Sequence, residues 1–510
     1  MPGTAKKIIR NTLYNSAGFI SLILVNLLLT PFILSNLGSQ KFAIWSLIFV
    51  VTMYLSFLDF GITGSFAKYI AEYQAKKDSF SINAVINCGL LFFLGYTLLI
   101  VLVVFLFRDL IASILKIPYP LKHEFLFTLV WIAMIFAVFN GLRIFRETLF
   151  GIQRMDVLNK ITVVSSIFYA AGVFFFLRNN WGIKGLVISY AIQCTLITLG
   201  NIYFTRKFLP TLKIGFTYIR KEIFRKLFGF GIKMQICSLA SLVHLQTDKI
   251  ILSYFLGLNF VTFYELGQKA ASAVKMIPAL LLSALVPAIS ELEAVSEHEK
   301  LKDLYRRGSK YICLVVFPLL FITLICAPQL IKLWVGPGYD LSVLTFQILA
   351  IEYSLNLLTG MGTSIVRGIG KPEYEARYAV IVMVSQLILS IIFVQLMGYK
   401  GVLLGLLISG ITGSLYFLIT FHKFFEEKFS QFATEIYLKS LSSSILAFLA
   451  VLLLSFYLGK LMIINSGPGA LVFLFFKVIV FSSIFLFLII KSRYIDVTDI
   501  QLFKSYIGRT

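Results

Sequence analysis

Apolar side chains run along this chain in stretches of about 20 residues, broken by short polar connections, and the pattern holds from end to end. A helix of that length rises about 30 Å, enough to cross the hydrocarbon core of a bilayer. The stretches predict helices at 12–36, 42–66, 82–107, 125–146, 157–177, 183–204, 227–256, 260–290, 310–330, 341–366, 374–396, 400–420, 437–458 and 468–490. Several exceed 25 residues, which implies tilt, a kink or an extension into the cytoplasm. The expected fold is therefore an all-α polytopic membrane protein of about 14 transmembrane helices, with no segment left over for a soluble domain.

Composition agrees. Of 510 residues, 59% are apolar and 14% charged, and the mean hydropathy is +0.90. A soluble domain carries roughly 25% charged residues, so lipid must cover much of this surface. The basic start, Met1 to Arg10, precedes an apolar stretch that holds Asn15, Asn26 and Pro31 and lacks a small-x-small cleavage site; it reads as a first helix and not as a cleaved signal. The five cysteines stand singly in apolar segments without metal-ligand spacing. GxxxxGK[ST], HExxH and GxSxG are missing, and the loops expected outside the cytoplasm are short, so neither a nucleotide motor, a cofactor nor an enzyme is indicated. Transport driven by an ion gradient, the membrane potential or the substrate's own gradient is left.

The net charge of +22 would point to nucleic acid in a soluble protein, but its placement says otherwise. With the N-terminus in the cytoplasm, 32 of the 46 Lys and Arg fall on cytoplasmic segments, 9 on the opposite side and 5 inside helices. That asymmetry predicts an N-in, C-in orientation and an even helix count. The densest cluster, Arg206 to Lys226, lies between helices six and seven, where it can act as a topogenic joint and meet anionic headgroups.

Comparing the chain with itself reveals a repeat. Ile33 to Gly38 matches Ile251 to Gly257 at an offset near 219; Phe150 to Arg154 matches Arg367 to Lys371 at 217; Trp181 to Gly185 matches Met397 to Gly401 at 216. Three matches in one order at nearly one offset predict two six-helix bundles inserted in the same direction, plus two C-terminal helices. The expected divisions are an N-terminal bundle at 1–206, a basic cytoplasmic linker at 207–226, a second bundle at 227–422 and an appended pair with a tail at 423–510. Parallel repeats are related by an axis along the membrane normal, which implies a cavity between them and access that alternates by rocking.

Polar side chains at membrane depth then become the candidate site, since each ionisable one costs at least roughly 2.5–3.5 kcal/mol there. Helix two carries Thr52, Ser56, Asp59 and Thr63 in one stripe; helix seven carries Ser241, His244 and Asp248, with Lys249 at the edge and Lys233 nearer the cytoplasm. Helix eight aligns Glu265, Gln268, Lys269, Ser272 and Lys275, with Glu265 and Lys269 in the favourable i,i+4 order. Asn26 comes from helix one and Glu352 heads a stripe in helix ten, while Arg143 and Glu147 pair at the cytoplasmic end of helix four. Interhelical hydrogen bonding explains the Ser, Thr and Asn members equally well. For Asp248, Lys249, Glu265 and Lys269 the alternatives are a dry four-charge network or a wet cavity wall, and the cost of desolvating four charges favours the wall. Excess Lys over carboxylate in helices seven and eight favours an anionic, phosphate-bearing substrate. His244 has the chemistry to couple to protons.

The stretch Asn11-Thr-Leu-Tyr-Asn-Ser-Ala-Gly18 through Leu37-Gly38, then Phe42-Ala-Ile-Trp45, Phe57-Leu-Asp59-Phe-Gly61-Ile-Thr-Gly64-Ser and Lys68-Tyr-Ile-Ala-Glu72, resembles the polysaccharide (Wzx-type) flippases of the multidrug/oligosaccharidyl-lipid/polysaccharide exporter superfamily. The LDxG-like element is its most specific part. The resemblance implies a V-shaped bundle with a cationic central cavity lined by helices one, two, seven and eight, in the bacterial inner membrane. It also implies the substrate, an undecaprenyl-diphosphate-linked oligosaccharide moved to the periplasmic leaflet for O-antigen, capsule or exopolysaccharide, with a polymerase and a chain-length regulator as partners. A lipid II flippase and a cation-coupled drug exporter are the rivals within the superfamily; a non-transporting scaffold of a polymer-assembly complex is the rival outside it.

Overall fold

The structure is a computed structural model that describes residues 21, 23–59, 62–294, 298–461, 468–495 and 499; of these, side chains are described except at 58, 228–238, 283–288, 290–294, 298, 458–461 and 468. Among the described residues every regular element is helical. In chain order these are α1 (Ile23–Leu37), α2 (Ser39–Leu55), α3 (Thr63–Ala75), α4 (Ser79–Ile114), α5 (Tyr119–Gly141), α6 (Ile144–Gly151), α7 (Met155–Arg178), α8 (Gly182–Phe208), α9 (Lys221–Phe255), α10 (Leu258–Ala294), α11 (His298–Val335), α12 (Asp340–Leu358), α13 (Gly360–Gly368), α14 (Glu373–Met397), α15 (Tyr399–Phe424), the short α16 (Phe429–Phe432), α17 (Lys439–Leu461) and α18 (Pro468–Lys491). Ten described helical segments are long and apolar enough to cross a membrane, and α1 and α2 are shorter apolar helices. Their outward faces carry large apolar side chains such as Leu28, Leu98 and Leu453, exposed by 76%, 69% and 63%. So much exposed aliphatic surface is stable only against lipid, and the protein is a multi-pass membrane protein.

Thirteen of the fourteen predicted segments coincide with described helix and the first, 12–36, does so from Ile23 onward, its earlier part lying outside the described residues; three are broken where one helix was expected. Segment 42–66 is α2, a 3-10 turn at Ser56–Asp59 and then α3; segment 125–146 ends at Gly141 and restarts at Ile144; segment 341–366 breaks between Leu358 and Gly360. Hydroxyls take backbone acceptors near two of these breaks: Ser56 Oγ donates to Met53 O at 2.6 Å, and Thr359 Oγ1 to Asn356 O at 2.7 Å. The basic joint also differs, because α8 runs to Phe208 and α9 already begins at Lys221, placing Lys221, Arg225 and Lys226 in the first turns of a 35-residue helix.

The repeat has a local structural basis. Gly38 and Gly257, Gln153 and Gly370, and Gly182 and Gly398 are the matched positions, and all six have positive φ, at 75° and 97°, 59° and 75°, and 55° and 59°. These positions lie in turns between consecutive helices, and one pair shows the same closure twice: Arg154 N–H donates to Leu149 O at 2.9 Å and Lys371 N–H to Val366 O at 2.8 Å. The sequence similarity thus marks interhelical turns that pass through a residue of positive φ.

The chain divides into two compact units, one of residues up to Glu265 with Ser390–Val402, the other of Leu266–Leu389 with Leu403–Thr510. In the first, α4 packs against α5 and α7 against α8. In the second, α11 packs against α12 and α17 against α18, and an aromatic core gathers Tyr305, Phe417, Phe421 and Phe432.

Candidate functional site

The first unit holds a buried polar centre at the later part of α9. Consecutive residues there face different partners. Asp248 is fully buried and accepts from Tyr264 Oη at 2.8 Å and from Ser390 Oγ at 3.4 Å. Lys249 lies with its Nζ 2.5 Å from Glu265 Oε2 and donates to Gln246 Oε1 at 3.1 Å. Glu265 Oε2 also accepts from Ser46 Oγ at 2.8 Å. The two charged side chains are only 6% and 12% exposed. Around them Thr262 Oγ1 donates to Ser39 O at 2.7 Å, and Tyr54 Oη meets Thr247 Oγ1 at 2.6 Å, so α2, α9, α10 and α14 all contribute. A desolvated ion pair is held together only when further hydrogen bonds satisfy it, as Ser46 and Gln246 do here.

The second unit holds a smaller polar centre. Lys275 Nζ lies 4.2 Å from the centroid of the Tyr353 ring, beside a narrow, mostly apolar pocket of about 20 Å³, room for one water. Glu352, 2% exposed, is near enough for its charge to act on Lys275. Its methylene fills space at Gly410, where a Cβ would lie 2.8 Å from Glu352 Cγ. Asn356 Nδ2 donates to Tyr378 Oη at 3.1 Å on the same helix face. Lys269 belongs to this unit and is half-buried.

The remaining predicted residues are dispersed. Asp59 Oδ2 accepts from Thr63 Oγ1 at 2.7 Å across the turn between α2 and α3, so the helix-two stripe is not one continuous face. Arg143 Nε donates to Glu147 Oε1 at 3.2 Å, and Arg146 joins the same oxygen at 2.8 Å. His244 is half-buried, while Ser241 and Asn26 are exposed. The side chain of Lys233, and all of Asn15, lie outside the described residues.

Sequence reading did not select Ser46, Gln246, Ser390 or Gly410. Ser46 carried a signal nonetheless: it stands 219 residues before Glu265, the offset of the first repeat match, so the hydrogen bond joins counterpart positions of α2 and α10. Ser390 stands 142 residues from Asp248; its signal was Gln386 one turn earlier on α14, a second polar side chain buried on the same face.

Long lipid-facing helices that also carry buried charged side chains define the class, a multi-pass membrane protein. The chain belongs to the family described as polysaccharide biosynthesis protein, whose pattern it matches over residues 8–293, more than half its length. A candidate O-antigen transporter of Shigella flexneri is 22% identical over 399 residues, covering 77% of this chain and 93% of that protein. Among solved structures, the lipid II flippase MurJ in an inward closed conformation superposes with a TM-score of 0.69 at 16% identity, over 95% of this chain and 99% of that one. An inward-facing multidrug resistance MATE transporter superposes with a TM-score of 0.63 at 17% identity, over 81% and 95%. At those identities the structural likeness is one of fold. All three are named as transporters or flippases.

Proposed function

We propose that the protein flips an undecaprenyl-diphosphate-linked oligosaccharide from the cytoplasmic to the periplasmic leaflet of a bacterial inner membrane by alternating access, for polysaccharide assembly. In this reading both termini are cytoplasmic, the repeated halves rock, and a polymerase and chain-length regulator receive the product. The observation that carries it is Lys249: a buried ammonium held by Glu265, which Ser46 also bonds, and by Gln246, in a family of polysaccharide biosynthesis proteins. A diphosphate is the ligand for which such an ammonium can leave Glu265, because it offers more acceptor oxygens and more negative charge than one carboxylate. Lys249 then acts as a charge relay: paired with Glu265 while the site is empty and with the diphosphate while it is filled. In this reading Lys269, Lys275, Lys233 and Arg143 are further cationic contacts for the substrate. Asp59, His244, Asp248, Glu352, Asn26, Ser241 and Ser56 supply its polar lining and any coupling to an ion.

The test is a double-mutant comparison. Lys249→Met with Glu265→Gln removes both charges, so it restores a folded protein that either single change destabilises. A relay role predicts that this folded double variant makes no surface polysaccharide. Full polysaccharide from it would show that the pair is structural, as a non-transporting scaffold would require.

A further inference from the structure

Outside the buried centres, the first unit carries a groove between α5 and α8. Two cavities of about 560 and 420 Å³ lie end to end along it and share Trp131, Ile135, Ala191 and Thr195, so they form one channel. Its floor comes from positions 188, 191, 195 and 198–199 of α8, 131, 135 and 138 of α5 and Leu142 at the α5 C-cap, one face of each helix at spacings of three and four. Small side chains at Ala191 and Thr195 leave the space. The rim is open: Trp131 is 47% and Val138 59% exposed on helices that are lipid-facing.

Two features single out an occupant. First, the groove runs from Trp181 to Leu199, 18 helical residues and so about 27 Å, close to the whole hydrocarbon thickness of about 30 Å. An acyl chain of a phospholipid reaches only the midplane and would fill half. Second, Lys184 is the one charged residue lining either cavity, and it stands at one end beside Trp181, its Nζ 5.4 Å from the centroid of the Phe127 ring. Among the described residues it makes no ion pair, so an interfacial cation is available to a phosphate.

We infer that this groove holds the isoprenoid tail of the lipid-linked substrate, with Lys184 receiving its diphosphate at the α8 N-terminal end. The inference rests on the flippase reading, and in the N-in orientation Lys184 lies at the periplasmic face, where the translocated head emerges. The tail keeps apolar contact through the whole bilayer depth while the head changes leaflet, so the lipid need not leave the protein to reorient.

The experiment uses the full chain in nanodiscs with a photoreactive benzoylphenylalanine replacing Ile192 at the rim. The probe is radiolabelled undecaprenyl-diphosphate oligosaccharide; the competitors are undecaprenyl diphosphate, phosphatidylglycerol and a water-soluble diphosphate-oligosaccharide without a tail. The expected result is a crosslink removed by undecaprenyl diphosphate and not by the other two at equal concentration. Ala191→Phe with Thr195→Trp should lower crosslinking about tenfold, since tail affinity accrues with each buried methylene. Lys184→Gln should lower it about fivefold, the worth of one lysine at a charged lipid surface. Thr195→Val keeps the groove's shape and should crosslink like the parent, which separates filling from misfolding. Equal competition by phosphatidylglycerol would identify the occupant as annular lipid and overturn the inference, as would crosslinking unchanged by the filling variant. If the probe binds the nanodiscs but never labels Ile192, the groove assignment alone falls; if it binds nowhere on the chain, the flippase reading falls with it.

Discussion

Lys249 shows what one residue can settle. Deleting a single member of its pair leaves an uncompensated buried charge, at a cost of about 3–5 kcal/mol, whereas removing both is close to neutral. Glu265→Gln and Lys249→Met should therefore each lower thermal stability in detergent sharply, and the double variant should regain most of it; additive losses would contradict the pairing seen at 2.5 Å. That this region carried charge was legible from Asp248, Lys249 and Glu265 in the sequence, but their pairing was not. Helical periodicity places Lys249 beside Asp248 and says nothing of Ser46 or Ser390, which arrive from helices far along the chain. Glu427, in the turn after α15, supplies a pH prediction. Burial raises its carboxyl above the ordinary value, against the pull of Arg306 3.9 Å away and of Lys302. A carboxyl with a raised folded pKa destabilises when ionised, so the penalty is present above that pKa and is relieved as pH falls through it. Glu427→Gln should raise the unfolding temperature at pH 7 and leave it unchanged near pH 4; a loss at pH 7 would show that the Arg306 contact outweighs the burial.

Among the elements, long apolar runs revealed each helix because lipid imposes a simple rule of length and polarity. The interruptions escaped because hydropathy averages over a turn of four residues such as Ser56–Asp59, where hydroxyl-to-backbone bonds replace the helical ones. The repeat was legible through its turns, since positive φ is the constraint that both halves share. Close packing adds a second constraint at matched positions. A Cβ at Gly401 would lie 1.9 Å from Phe393 O, a backbone atom, while one at Gly185 would meet the Phe176 Cβ at 2.6 Å. Gly401→Ala should cost about 3 kcal/mol and Gly185→Ala less, because the clash at Gly185 is with a carbon 2.6 Å away and the one at Gly401 with a carbonyl oxygen at 1.9 Å, and in both cases the backbone has to move. Thermal unfolding of the two purified variants checks the order; equal losses would mean that the α14–α15 turn yields more readily than the α7–α8 turn.

At the scale of the whole molecule, charge asymmetry predicts the orientation in the membrane. With the native cysteines replaced, a cysteine introduced at Lys371 should react with an impermeant maleimide only from the cytoplasmic side, and one at Lys122 only from the periplasmic side. The reverse pattern would invert the direction assigned to transport. Fold and family were within reach of sequence alone because they rest on hydropathy, the repeat and the LDxG-like element; the partners of the buried charges were not, because they are side chains that meet from distant helices. The most direct measurement is therefore flipping itself: purified protein in proteoliposomes, a fluorescent undecaprenyl-diphosphate oligosaccharide in both leaflets, and a membrane-impermeant quencher outside. The wild type should exchange the quenched and protected pools, and the folded Lys249→Met/Glu265→Gln variant should leave them as static as empty liposomes. A wild type no faster than empty liposomes, or a double variant as fast as the wild type, would contradict the account.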